Sequence, residues 1–220
     1  MSARSLSRSK RSKRSVTRPR TRAGCAAERR CAGIRRKGSP SMSEPASLYA
    51  RFTLSHEQYE AFMNSTPARP ASFGDWQSWF DRHPMAGDNR VPAALLGDLD
   101  AARVADVIKA WREDDWTGMP PVEYDEIKRT LRIAMLQASE NFHEMLRLLT
   151  PLRGASAYND PGADDFIVIF DFLWDGGDIS AYLQLSDGDS RFVEDCPPAH
   201  LQEAGGYLRE ALSYMRDRTG

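Results

Sequence analysis

Hydrophobic and polar positions alternate along Ser47 to Leu54 (SLYARFTL), where Leu48, Ala50, Phe52 and Leu54 fall on one side of a period of two. That pattern predicts a half-buried strand. Ser55 then opens a helix through the capping-box sequence Ser-His-Glu-Gln, with Gln58 at the third helical position and Tyr59, Phe62 and Met63 as the apolar stripe. Pro67 and Pro70 mark a loop. Asp75 to His83 (DWQSWFDRH) reads as a short aromatic helix with Trp76, Trp79 and Phe80 on one face, stopped by Pro84. Leu99 to Asp115 reads as the next helix, capped by Asp100 and stapled by Leu99 to Val104, with Val104, Val107, Ile108 and Trp111 inward. Gly118-Met-Pro-Pro ends that unit.

From Glu123 to Thr150, Ile127, Leu131, Met135, Ala138, Phe142, Met145 and Leu149 recur at steps of three and four, which predicts a long amphipathic helix. Lys128, Arg132, Glu140, Glu144 and Arg147 form its polar flanks, and Pro151 and Gly154 end it. Phe166 to Trp174 (FIVIFDFLW) is strongly β-prone and leads through Asp-Gly-Gly-Asp into a second strand, Ile179 to Leu185. Ser-Asp-Gly-Asp at 186–189 turns into Arg191 to Glu194, completing an antiparallel meander. A closing helix from Pro198 to about Arg216 carries Leu201, Ala204, Leu208, Leu212 and Met215 as its stripe. The order strand, four helices, three strands, helix predicts an α+β fold: an antiparallel three- to four-stranded sheet packed against a mainly helical layer, with Ser47–Leu54 as the candidate fourth strand.

Charge changes this picture by dividing the chain. Of 30 Lys+Arg and 31 Asp+Glu in 220 residues, residues 1–41 hold 14 basic residues and one acid, Glu28. Residues 42–220 are left with 16 basic residues against 30 acids, a net of −14 beside a tail of +13. The tail has little to bury and is expected to be disordered, with Met42 as the working N-terminus; nucleic-acid binding or targeting through it is the competing reading. Residues 42–220 are long enough for a single compact acidic domain. No stretch approaches the roughly 20 apolar residues of a membrane span, and the start lacks the apolar core of a secretory signal. Three cysteines, Cys25, Cys31 and Cys196, form neither a disulfide framework nor a zinc spacing, which fits a reducing, cytoplasmic setting.

Nucleotide-binding and hydrolase motifs are missing: there is no GxxxxGKS/T, GxGxxG or GxSxG. Val168-Ile-Phe-Asp171-Phe-Leu resembles the strand of haloacid-dehalogenase-like phosphatases that ends in a nucleophilic Asp, but their second acid two residues on is replaced by Leu173. His143-Glu144 is half of an HExxH zinc motif whose second histidine is Arg147 here. Asp187 and Asp189 with Glu194 lack the twelve-residue calcium-loop pattern and read as an acidic hairpin turn. No metal or cofactor is implied. A dispersed site of Asp171, Asp175 and His143 is the enzyme alternative.

What stands out instead is acids grouped with aromatics at two places. One is Trp111, Glu113, Asp114, Asp115 and Trp116; the other is Trp174, Asp175 and Asp178 with Asp187, Asp189, Glu194 and Asp195. Such a surface suits docking on a basic partner, because charge steers the encounter and aromatic anchors hold it; plain solubility is the bland account. In size, acidity, cysteine usage, α+β layout and lack of catalytic motifs, residues 42–220 resemble the immunity proteins of bacterial polymorphic-toxin and type VI secretion systems. The resemblance implies a cytoplasmic protein that binds a cognate, basic effector enzyme and occludes its active site. It carries over no functional residue.

Overall fold

A computed structural model describes residues 45–83, 90–97, 99–174 and 177–219. The expectations for residues 1–41 and for Asp175 lie outside the described residues. The fold is α+β, built on one antiparallel sheet of six strands: β1 (Ala46–Thr53), β2 (Glu123–Asp125), β3 (Thr130–Ser139), β4 (Asp165–Phe170), β5 (Ile179–Ser186) and β6 (Asp189–Phe192). Their order across the sheet is β2-β3-β1-β4-β5-β6. The expected meander is present as β4, β5 and β6, and β1 joins it by pairing with β4 from Ser47 opposite Phe170 to Arg51 opposite Phe166. The sheet is wider than expected because β1 is central and has a second neighbour, β3.

That neighbour corrects the long helix expected over Glu123 to Thr150. The segment is a hairpin, β2 and β3, followed by helix α4 (Phe142–Arg153). Two facts explain the difference. Leu131, Ile133 and Met135 face one core while Ala134 and Leu136 face the other, so this strand, buried on both sides, shows no alternation with polar residues. Its hairpin turn also carries no glycine. Asp125 accepts the Lys128 N–H at 2.9 Å, and Arg129 takes the left-handed conformation at φ 55°. Ile127, the first step of the apparent stripe, is 96% exposed at this turn.

Four helices cover one face of the sheet: α1 (His56–Asn64), α2 (Trp76–Arg82), α3 (Val104–Glu113) and α4. The Ser55 capping box of α1 is formed, with Gln58 Oε1 accepting the Ser55 N–H at 2.5 Å and Ser55 Oγ accepting the Gln58 N–H at 3.2 Å. Helix α3 starts at Val104 rather than Leu99, and no side chain caps it. The Val104 N–H instead donates to the Ser65 carbonyl at 2.9 Å, tying α3 to the end of α1. The other face is covered by α5 (Pro198–Thr219), whose Ala204, Leu208 and Ala211 pack on Tyr49, Phe166, Val168 and Tyr182.

The two sheet edges differ in how they end. At the β2 edge the strand is three residues long; the chain leading into it contains Pro120 and Pro121, which have no N–H to offer a neighbouring strand, and runs close to β3, where a Cβ on Gly118 (φ 55°) would lie 3.2 Å from the Leu136 Cβ. At the other edge the Phe192 N–H donates to Asp75 at 3.0 Å, and Arg153 donates to the Ser190 carbonyl. The uncovered end of β5 is met by the Trp79 indole N–H, which donates to the Ser180 carbonyl at 2.9 Å.

Candidate functional site

The end of the sheet where β3 and β4 finish carries a groove of about 750 Å³. Three tryptophans from two places in the sequence line it: Trp111 in the last turn of α3 and Trp116 in the short 3-10 turn Asp115–Thr117, with Trp174 from the β4–β5 connection. Trp116 is 66% exposed and Trp174 51%, so neither is a core residue. The opposite wall is the outer face of α4, from which Glu144, Arg147 and Leu148 project, with Glu140 just before the helix.

Local bonds hold this rim in shape. Asp114 Oδ1 accepts the Trp116 N–H at 3.0 Å, and the Thr117 hydroxyl donates to the Trp111 carbonyl at 2.8 Å and to the Asp114 carbonyl at 3.0 Å. Thus Asp114, at a helix C-terminus where a carboxylate opposes the macrodipole, caps the next turn and so has a local reason to be there. Glu113 has one too, an exposed ion pair with Lys109 at 3.7 Å. Across the groove the Ser139 hydroxyl donates to Glu144 Oε2 at 2.7 Å while accepting the Asn141 N–H at 2.9 Å, which fixes the carboxylate beside the start of α4. The loop bearing Trp174 is closed by the Asp171 N–H donating to the Asp178 carbonyl at 2.9 Å.

The structure brings some of the expected site residues together and separates others. Trp111, Asp114, Trp116 and Trp174 share the groove, with Glu113 and Asp115 exposed next to Asp114. Asp178 stands exposed at the foot of the Trp174 loop. Asp187 lies in the β5–β6 turn and Asp189 opens β6, both at the opposite end of the sheet, since Ser186 pairs with Asp189 while Ile179 at the other end of β5 pairs with Phe170. Their roles there are structural: Asp187 accepts the Gly162 N–H at 3.2 Å, and Asp189 accepts the Ser190 N–H at 2.8 Å. Glu194 forms an ion pair with Arg82 at 3.4 Å, and Asp195 is exposed. Glu140, Glu144, Arg147 and Leu148 are the functional candidates that sequence reasoning missed. Glu140, Glu144 and Arg147 were visible, but only as polar flanks of a helix drawn too long, and Leu148 gave no signal of its own.

The residues of the enzyme alternative have other surroundings. His143 stacks on Phe80 with ring centroids 5.6 Å apart, and its Nε2 is buried without a hydrogen-bond partner. Asp171 likewise has one buried carboxylate oxygen without a partner. Burial raises the Cys196 thiol to about 11, far from a thiolate nucleophile at neutral pH. Among the described residues no group of three or more His, Cys, Asp or Glu side chains could hold a metal ion, and no helix is long and apolar enough to cross a membrane. Compared with protein-family models, with curated proteins and with solved structures, the chain matches none.

Proposed function

We propose that the protein is a binding protein that seats a projecting basic segment of a partner in the tryptophan groove. The partner, on this reading, is a cognate effector enzyme that the contact neutralises by covering its active site, inside the cell that makes both. The convergence of Trp111, Trp116 and Trp174 on one solvent-open groove supports this most directly. Large aromatic rings left half or more exposed lose hydration only when something covers them, and tryptophan is the side chain most enriched among binding hot spots. Acidity supports the sign of the partner, because a segment carrying −14 over residues 42–220 attracts basic surfaces and repels acidic ones. The specific reading as an immunity protein rests on the general resemblance in size, charge and layout.

The test uses the full chain and its Trp116→Ala/Trp174→Ala double variant as paired baits in native lysate. A basic protein should be retained at one-to-one stoichiometry by the parent alone, and one equivalent of the parent should abolish its enzymatic activity. Identical retention by both baits, or none by either, would exclude the groove as the docking site. The competing enzyme reading draws on the unpartnered buried atoms of His143 and Asp171. His143→Gln that leaves partner binding intact but removes a measured turnover would favour it.

A further inference from the structure

The groove's ring and charge chemistry allows its ligand to be named more narrowly, granting that it is a protein-docking site. We propose that it recognises an arginine side chain of the partner, with the guanidinium lying against Trp116 and Trp174 and paired with the rim carboxylates of Asp114 and Glu144. Three lining acids, Asp114, Glu140 and Glu144, against one base, Arg147, leave the lining at −2. Anionic ligands are therefore disfavoured, and a purely apolar one would leave those acids unsatisfied.

Among cations, the geometry favours the guanidinium. It is planar and weakly hydrated, so it can lie flat on an indole and still direct its edge N–H groups at a carboxylate, whereas an ammonium is a compact, strongly hydrated charge. The carboxylates are already oriented to receive it. Glu144 is held by the Ser139 hydroxyl through one oxygen, and Asp114 by the Trp116 N–H through one oxygen, which leaves the second oxygen of each for a ligand. Ala138 and Leu148 in the same lining offer apolar surface to the methylene stem.

The molecule already uses this chemistry three times within its own fold. Arg153, 1% exposed, has its guanidinium 4.1 Å from the Phe73 ring centroid, 4.5 Å from Trp76 and 5.0 Å from Phe192, and pairs with Asp75 at 2.8 Å. Arg51 lies 4.9 Å over Phe166 and pairs with Glu203 at 2.6 Å. Arg132 lies 5.7 Å over Tyr207 and pairs with Glu123 at 3.5 Å, so in each place at least one ring and a carboxylate hold a guanidinium supplied by the chain. The tryptophan groove presents the same combination with its rings open to solvent.

The probes are three synthetic peptides, acetyl-Ala-Gly-X-Gly-Ala-amide with X as arginine, lysine or citrulline, titrated into the full chain while the indole N–H signals are followed by nuclear magnetic resonance. The arginine peptide should shift Trp116 and Trp174 and leave Trp76 and Trp79 still, with a dissociation constant roughly tenfold lower than that of the lysine peptide. Citrulline, equally planar but uncharged, should not saturate. Glu144→Gln and Trp174→Ala, both at exposed positions, should each weaken arginine binding several-fold. Equal binding of lysine and arginine, or binding that survives in the Trp116→Ala/Trp174→Ala variant, would overturn the proposal. Loss of partner capture by that double variant together with no arginine preference would sink arginine recognition while leaving protein docking intact. The reverse result would sink the docking reading instead.

Discussion

The two faces of the sheet are packed in different ways. Under α1 to α4 the core is apolar and aromatic: Leu48, Phe52, Ile133, Ile169 and Leu183 of the sheet meet Phe62, Trp79, Phe80 and Leu149. Trp79 stacks on Phe192 at 4.8 Å and meets Phe142 edge-on at 5.3 Å. Under α5 the apolar contacts are interleaved with hydroxyl groups and charges. Tyr49 donates to Glu203 at 2.8 Å, and Tyr182 shares a 2.8 Å hydrogen bond with His200, which in turn contacts Asp164 at 2.8 Å. One face is held mainly by dispersion and area, with the pair of buried Arg153 and Asp75 and the hydrogen-bonded Asp165 carboxylate as its polar exceptions; the other is held by a modest apolar strip plus bonds that fix where one helix lies. Apolar packing is insensitive to pH, whereas bonds to titratable groups are not.

Trp79→Ala should produce the largest effect, a loss of about 3–5 kcal/mol in urea unfolding, because it opens the apolar core and releases the Ser180 carbonyl together. If it melts like the parent, the four-helix face is not what holds the sheet. Leu208→Ala should cost about 2–5 kcal/mol. Unlike Trp79→Ala, it should show its first loss of amide-exchange protection in α5 and only later in β1 and β4. Simultaneous loss everywhere would mean that the two faces form one cooperative unit.

Alkaline pH sharpens the contrast. Burial pushes Tyr182 and Tyr207 up to about 12, and burial together with the bond to Glu203 raises Tyr49 further still. An unfolded chain ionises its tyrosines near pH 10, whereas the folded chain keeps these protonated, so their contribution is present below about pH 10 and declines as pH rises toward 12. Burial also raises Tyr59 and Tyr124 on the other face, so ultraviolet titration should show late-ionising tyrosines on both faces, with Tyr49, Tyr182 and Tyr207 released as α5 amides lose protection. Tyr49→Phe should cost only about 1 kcal/mol, its partner Glu203 being accessible to water. The smallest change is expected for Trp174→Ala, within about 0.5 kcal/mol in stability, because that ring is more than half in solvent. A large destabilisation would make Trp174 a structural residue and weaken the docking reading.

How far the sequence disclosed all this varied with the kind of signal. The capping box at Ser55, the aromatic face of α2, the meander and the stripe of α5 were legible because each rests on neighbours in sequence. β3 was not, because a strand buried on both faces lacks the polar alternation that marks a strand, and Arg129 bends the chain where a glycine would have announced the turn. Phe142 was expected deep in a helix; it begins α4 and is half-buried. Within the groove, each tryptophan was visible as a candidate, but their convergence depends on β1 lying between β3 and β4. No local pattern encodes that.

The central place of β1 also sets a timetable. Arg51 pairs with Phe166, 115 residues later (166 − 51). At synthesis rates of about 5–20 residues per second, the ribosome needs roughly 6–23 s to cover that interval. During that time one or both edges of this strand are bare, the condition in which unpaired strands associate with one another, although α1 to α3, made in the same interval, supply partners for Leu48 and Phe52. The part of the molecule that ends up most protected is the part that waits longest for its neighbours, so newly made chains are most vulnerable at the segment that becomes the middle of the finished sheet.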